Sequence, residues 1–169
     1  MESINDKLEK IACVIDIQGY SLHGKFYARE LSIVNDEICS TFNVDPEISL
    51  TDDSLNAIYY HYQRIHGLGL HPLKNVFIKN STLEMFIRVI TDMLTSEDKP
   101  YLAVKNHQLA SLLDEWQIKY VNLESFEAPS VSQFTCRWMC DLHENKRPQM
   151  RRCALRKSIS LWIWINQKI

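Results

Sequence analysis

The sequence predicts a single α/β domain built on a mixed sheet, and three observations carry that prediction. The first 42 residues hold three β-branched, apolar runs separated by short turn signals, which is the pattern of hairpin-linked strands. From residue 51 to 123, segments with helical spacing alternate with short apolar strands. Hairpins followed by such alternation give antiparallel pairs joined to parallel ones. The chain has 169 residues, enough for one domain with its own core.

Residues 10–18 (KIACVIDIQ) form a buried central strand, because apolar side chains occupy both faces. Residues 19–24 are a turn region. Further strands are predicted over Tyr27 to Asn35 and Glu37 to Phe42, with Asn35-Asp36 as the tight turn between them. Thr51-Asp52-Asp53 supplies N-cap chemistry for a helix reaching about Ile65. The segment HGLGLHP ends that helix, and Val76 to Ile78 is a short strand. Ser81 and Glu84 have the spacing of a capping box, ahead of Leu83, Phe86, Ile87, Ile90 and Leu94 at helical intervals. Residues 100–105 read as a strand. Asn106 caps a helix lined by Leu109, Leu112, Leu113 and Trp116, and Ile118 to Leu123 is another strand. The last helix is expected over Gln149 to Ile165, with Pro148 near its start. This is the element order of ribonuclease H-like folds, including the DnaQ-like exonucleases. A five-stranded mixed sheet flanked by helices is therefore expected; order alone says nothing about activity.

The chain is 46% apolar and 24% charged, an ordinary globular balance, and its net charge of −2 excludes a broadly basic surface. Nucleic-acid binding would need a local patch. No apolar run approaches a membrane span. The five cysteines, at 13, 39, 136, 140 and 153, are odd in number and scattered, and the charged first ten residues do not resemble a secretory leader. A reducing compartment is expected, with thiols free or bound to metal.

The most specific local signal is Cys140-Asp141-Leu142-His143 followed by Cys153. A close pair fixes two corners of a tetrahedron around zinc, and a returning thiol supplies a third. A fourth protein ligand would make the site structural, whereas water there would leave it open for catalysis. Cys136, four residues before Cys140 on the same helical face, is a rival that would make the set Cys3His. The plain alternative is a pair of buried thiols beside an unrelated histidine.

The stretch TCRWMCDLHENKRPQMRRCAL resembles the end of the domain that defines Maelstrom proteins, where a cysteine, a histidine and a second cysteine occur at similar spacing with "HE" and "CAL" in the same places. That family's fourth ligand is a glutamate on the second strand, and FYARELSIVN puts Glu30 there. The resemblance thus implies a structural Zn2+ held by Glu30, Cys140, His143 and Cys153. By sequence alone Glu30 would read as a solvated strand carboxylate. The family's relation to DnaQ-type (DEDD) exonucleases allows their four metal-binding carboxylates to be checked. The first strand offers Asp16-Ile17-Gln18, Ala110 stands at the third position with Asp114 one turn on, and Lys157 lies near the fourth. At most one carboxylate is kept, so two-metal exonuclease chemistry is expected to be absent; Asp16 by itself reads as a locally bonded strand-end carboxylate.

Maelstrom proteins act in small-RNA (piRNA) guided transposon silencing in animal germ cells, usually with an HMG box ahead of this domain. The 169 residues hold none, which suggests a stand-alone relative, an isolated domain or a different branch. The resemblance implies a module for single-stranded RNA, silencing-complex proteins as partners, and a place in perinuclear cytoplasmic granules or the nucleus. The family is also associated with an RNA cleavage that the exonuclease site does not explain. Asp16, Asp114 or a histidine is the candidate base for that route. A scaffold without RNA affinity is the third reading.

The region from Arg137 to Lys157 is the one clearly basic segment. Arg147, Arg151, Arg152 and Lys157 are the expected phosphate contacts, with Trp138 available to stack on a base. An ordinary solvated helix face with Trp138 in the core is the alternative. Trp162 and Trp164 fall on different sides of a helix, which predicts at least one of them exposed. His61, His66 and His71 lack the spacing of a helical metal pair and read as loop and helix-end residues. No GxSxG, Walker loop or GxGxxG occurs.

Overall fold

Ile11–Leu22 forms the longest strand, β1, and its residues from Ile11 to Ile17 are all buried. That uninterrupted burial is what a strand covered on both faces requires. In this computed structural model, residues 3–70, 77–134, 140, 142, 143 and 153–169 are described. β1 pairs antiparallel with β2 (Lys25–Val34), and β2 pairs antiparallel with β3 (Cys39–Asp45). On its other side β1 runs parallel to β5 (Tyr101–Val104), which runs parallel to β6 (Tyr120–Asn122). The two-residue strand β4 (Ile78–Lys79) adds to β3, giving the order β4-β3-β2-β1-β5-β6. The sheet therefore has six strands rather than the expected five, because the short apolar segment near residue 78 joins the edge.

Side-chain parity assigns the two faces. Cys13, Ile15, Ile17, Leu31 and Ile33 point into one core with Leu83 and Ile87 of α3 (Leu83–Leu94) and Leu109 and Leu113 of α4 (His107–Glu115). Val14 and Val34 point into the other, with Leu161, Trp162 and Ile165 of α5 (Ala154–Lys168). The same parity turns Asp16, Glu30 and Ser32 toward α5, and Ser32 meets Ser158 of that helix at 2.6 Å. Leu8 of α1 (Ile4–Glu9) joins the second core. This short helix was not foreseen, although Ser3 and Asp6 form the capping box that starts it.

β1 runs on through the segment expected to be a turn. The chain reverses only at His23-Gly24, both at positive φ (50° and 78°), the two-residue hairpin geometry that matches strand twist. The register shifts between Gln18 and Gly19, and a Cβ on Gly19 would lie 2.0 Å from the carbonyl oxygen of Tyr27. Gly19→Ala is therefore expected to cost about 3 kcal/mol, since backbone must move to admit the methyl. Urea denaturation checks this, and a loss under about 1 kcal/mol would contradict the close approach.

Other elements depart locally from expectation. The Ser81–Glu84 capping box does not form: Ser81 N–H donates to Glu47 Oε2 at 2.7 Å, and Glu84 turns to Arg88 at 2.8 Å. Asn106 does cap α4, accepting from Leu109 N at 3.1 Å, and its Nδ2 ties the helix to Ile17 O of β1 at 2.7 Å. The helix α2 (Asp52–Tyr60) continues into a π-helical turn, His61–His66. Neither C-terminal tryptophan is exposed. Trp162 is buried and donates to Asp36 Oδ1 at 2.9 Å, while Trp164 is half-buried beneath Lys168. No helix among the described residues is long and apolar enough to cross a membrane.

Candidate metal centre

Glu30 is wholly buried on β2, opposite Gln18 of β1 and Asn43 of β3, with its carboxylate at the start of α5. Oε2 accepts from Ala154 N at 3.2 Å, one of the amides that a helix N-terminus leaves without an internal partner. Cys153, the residue before α5, brings Sγ to 3.4 Å from Oε1, and Cys140 Sγ lies 2.8 Å from the same oxygen. The two sulfurs are 3.8 Å apart, and His143 Nε2 lies 3.3 Å from Oε2. The ligand atoms of Glu30, Cys140, His143 and Cys153 all fall within 4.8 Å of one another, and together they can hold a metal ion. The geometry brings together the four residues named from the sequence; Cys136 lies outside the described residues.

The cluster keeps its own charge balance. Burial pushes Glu30 upward, but the hydrogen bond and positive charge of His143, the Cys140 thiol and the Ala154 amide outweigh it, so its carboxyl sits below the usual range. Burial pushes His143 down, and the facing Cys153 and Glu30 overcome that and raise it to about 10. The two thiols share a hydrogen bond, and that sharing holds Cys153 below the usual thiol range. Cys140 is raised by Cys153, by burial and by Glu30, and it keeps its proton. At neutral pH, an imidazolium thus faces a carboxylate and a thiolate. A metal ion must displace protons from His143 and Cys140 to bind. Loading near pH 7 is expected to release about two protons, with affinity rising as pH rises, because only the deprotonated forms of both groups are ligands. Calorimetry in buffers of different ionisation enthalpy measures this; proton-neutral loading would contradict the assigned states.

Asp16 lies on the same face of the sheet, one strand over, and is also buried. Lys157 of α5 reaches it at 2.5 Å with a side chain only 13% exposed. Burial, the largest influence, raises Asp16, and the charge of Glu30 adds to this; Lys157 and Asn106 pull the other way without cancelling it. An ammonium therefore stands against the one retained carboxylate. With Lys105, Asn106 and Phe134 the pair lines a cavity of about 310 Å3, and Lys105 is engaged with the carbonyls of Ala128 and Pro129.

The remaining candidates separate. Lys157, expected at phosphate, is bound to Asp16, while Arg147, Arg151, Arg152, Trp138 and His71 lie outside the described residues. Asp114 is on α4 beside Tyr120, whose hydroxyl it holds above the usual range, second to burial. Ala110 is buried on α4, leaving no carboxylate there. His61 and His66 pack around Tyr20, with ring centroids 5.9 and 4.9 Å from it, and burial, the main cause, lowers His66 to about 3. The sequence reading missed the Asp16–Lys157 pair. Its signal was Asp16 itself, since a carboxylate inside an apolar central strand requires a buried partner.

Fold and site together define a mixed α/β domain with a largely buried Glu-Cys-His-Cys cluster able to hold a metal ion. Comparison with protein-family models, curated proteins and solved structures finds no match to this chain.

Proposed function

We propose that the chain is a zinc-stabilised, ribonuclease H-like module of Maelstrom type that binds single-stranded RNA without exonuclease chemistry. The observation that carries this reading is the convergence of Glu30 with Cys140, His143 and Cys153. Composition gave no reason to prefer Glu30 over other strand carboxylates, and 110 residues of chain separate it from Cys140. The donor set of two sulfurs, one imidazole and one carboxylate suits zinc. Two thiolates about 2.3 Å from a tetrahedral ion lie about 3.8 Å apart, which is the observed sulfur separation of 3.8 Å. His143 Nε2 lies 3.3 Å from the second carboxylate oxygen, Oε2, so Glu30 presents one oxygen to the sulfurs and the other to the imidazole. The sulfur–oxygen edges, ideally about 3.6 Å, are 3.4 and 2.8 Å, so Cys140 must ease outward on loading.

Four protein ligands close the tetrahedron, so zinc here joins α5 and the Cys140–His143 segment to the sheet and keeps no open position for substrate. The Asp16–Lys157 pair supports the non-exonuclease part, because a cation of the protein's own stands where a divalent ion would need carboxylates.

The RNA part rests on the basic segment that includes Arg147, Arg151 and Arg152. Three phosphate contacts to a single strand give a salt slope of about −2, hence about a twentyfold loss of affinity between about 50 and 200 mM salt. Fluorescence anisotropy with a single-stranded RNA oligonucleotide measures the slope. Replacing the three arginines by alanine is expected to flatten it, and salt-independent binding or none would contradict the reading. A role beside silencing-complex proteins in perinuclear granules or the nucleus follows from the same proposal.

A further inference from the structure

Helices end with carbonyls that have no internal partner, and buried ones must find a donor elsewhere. The π-helical turn His61–His66 ends at Gly67 with φ 66° and ψ 16°, a left-handed conformation suited to glycine. The carbonyl of His66, now free of the helix, accepts from His143 Nδ1. Both residues are buried. With Nδ1 carrying the hydrogen toward His66, Nε2 is the nitrogen that faces Glu30.

The carbonyl is itself held by a buried frame. Leu68 N–H donates to the Nδ1 of His66 at 3.0 Å, so the His66 ring closes the turn over its own backbone. Tyr20 Oη donates to Leu68 O at 2.6 Å, and its ring stands edge-on to His66 at 4.9 Å and 81°. Arg29, next to Glu30 on β2, donates from Nε to Gly69 O at 2.7 Å. Residues 66–69 are thus fastened to β1 through Tyr20 and to β2 through Arg29, the neighbour of the metal cluster's glutamate. π-Helical turns are frequent at functional sites, and this one delivers a carbonyl rather than a side chain.

We propose that this turn is the outer shell of the metal centre: the His66 carbonyl fixes the His143 tautomer that presents Nε2 to the ion, and Tyr20 and the His66 ring are positioning residues that hold the carbonyl in place. The inference rests on the reading that the cluster takes zinc. A metal-bound histidine is oriented by what its other nitrogen donates to, and loss of that partner typically costs 10- to 100-fold in metal affinity. The arrangement also makes His66, Tyr20 and Leu68, none of them ligands, sensitive positions for metal binding.

The test is competition for Zn2+ against a chromophoric chelator, with circular dichroism and thermal melting on the same samples. Tyr20→Phe removes the donor to Leu68 O and His66→Leu removes the acceptor of Leu68 N–H, and both are expected to weaken zinc binding about tenfold or more. His66→Asn restores an acceptor that reaches the amide two residues on, as asparagine does in turns, and is expected to stay within about threefold of wild type. Trp162→Phe removes a part-buried hydrogen bond at the edge of the second core and should lower stability without changing zinc affinity. On the unmodified protein, 15N-histidine NMR should show His143 protonated at Nδ1 and metal-bound at Nε2. Wild-type binding with unchanged affinity in Tyr20→Phe and His66→Leu overturns the inference and leaves the zinc reading intact, as does metal bound at Nδ1. Equal losses in Trp162→Phe and the frame variants overturn it too, because the effect is then stability alone. A wild type that takes up no zinc overturns the zinc reading first and this inference with it.

Discussion

Replacing Glu30 by alanine is expected to abolish metal uptake and to lower stability by about 4 kcal/mol or more, a fall of about 10 °C in melting temperature. The size follows from three losses at one buried point. A metal ion held by the four residues would lose its oxygen ligand, and structural zinc sites depend on the complete set for much of their folding energy. In the metal-free state that results, the protonated His143 lacks the carboxylate that faces it. Ala154 N–H loses its acceptor at the start of α5. Glu30→Gln separates these effects, since it keeps a neutral acceptor for Ala154 while losing the charge. It should bind metal poorly and yet melt above the alanine variant. Metal content by mass spectrometry and melting curves check both, and an alanine variant that retains one metal per chain would remove Glu30 from the site.

Lys157→Met is expected to cost about 3–5 kcal/mol at neutral pH, because it leaves the buried Asp16 carboxylate without its cation. The loss should depend on pH in a defined direction. Asp16 has a raised pKa in the folded protein, so its protonation favours folding. Stability from that group is complete below its unfolded value, near 4, and declines as pH rises through the higher folded value. Removing Lys157 raises the folded value further, so the variant's deficit shrinks on acidification and is largest at neutral pH. The double variant Asp16→Asn/Lys157→Met should recover most of the loss, because no charge is then buried. Urea denaturation at several pH values measures it. A pH-independent deficit, or a double variant as weak as the single one, would show that the lysine acts by packing alone.

Much of the fold was legible because the signals were local. The apolar run of β1, the heptad-like spacing of Leu83, Ile87, Ile90 and Leu94, and the Asn106 cap each depend on neighbours within one or two turns. The failures were tertiary. Glu84 had the right spacing for Ser81, but Glu47 and Arg88, brought in by the fold and by the next turn, took the two groups. Gly19 read as a turn because a glycine in a strand is unusual; its cause is the passing carbonyl of Tyr27, which no pattern displays. At the metal centre, Cys140, His143 and Cys153 could be read from spacing, whereas Glu30 was named only through the family resemblance. The π-helical turn was not legible, since its value lies in a backbone carbonyl, and backbone groups leave no mark on residue identity. Its place in a basic segment predicts a phosphate contact for Lys157, and only the facing Asp16 shows it to be an internal counter-ion.

X-ray absorption at the zinc edge, on protein purified from zinc-supplemented cells, reads the ligands of the cluster. A closed Glu30–Cys140–His143–Cys153 site predicts one zinc per chain with two sulfurs at about 2.3 Å and two nitrogen or oxygen neighbours at about 2.0–2.2 Å. Three sulfurs would put Cys136 in place of Glu30, and an exchangeable water among the ligands would open the tetrahedron; either result contradicts the account.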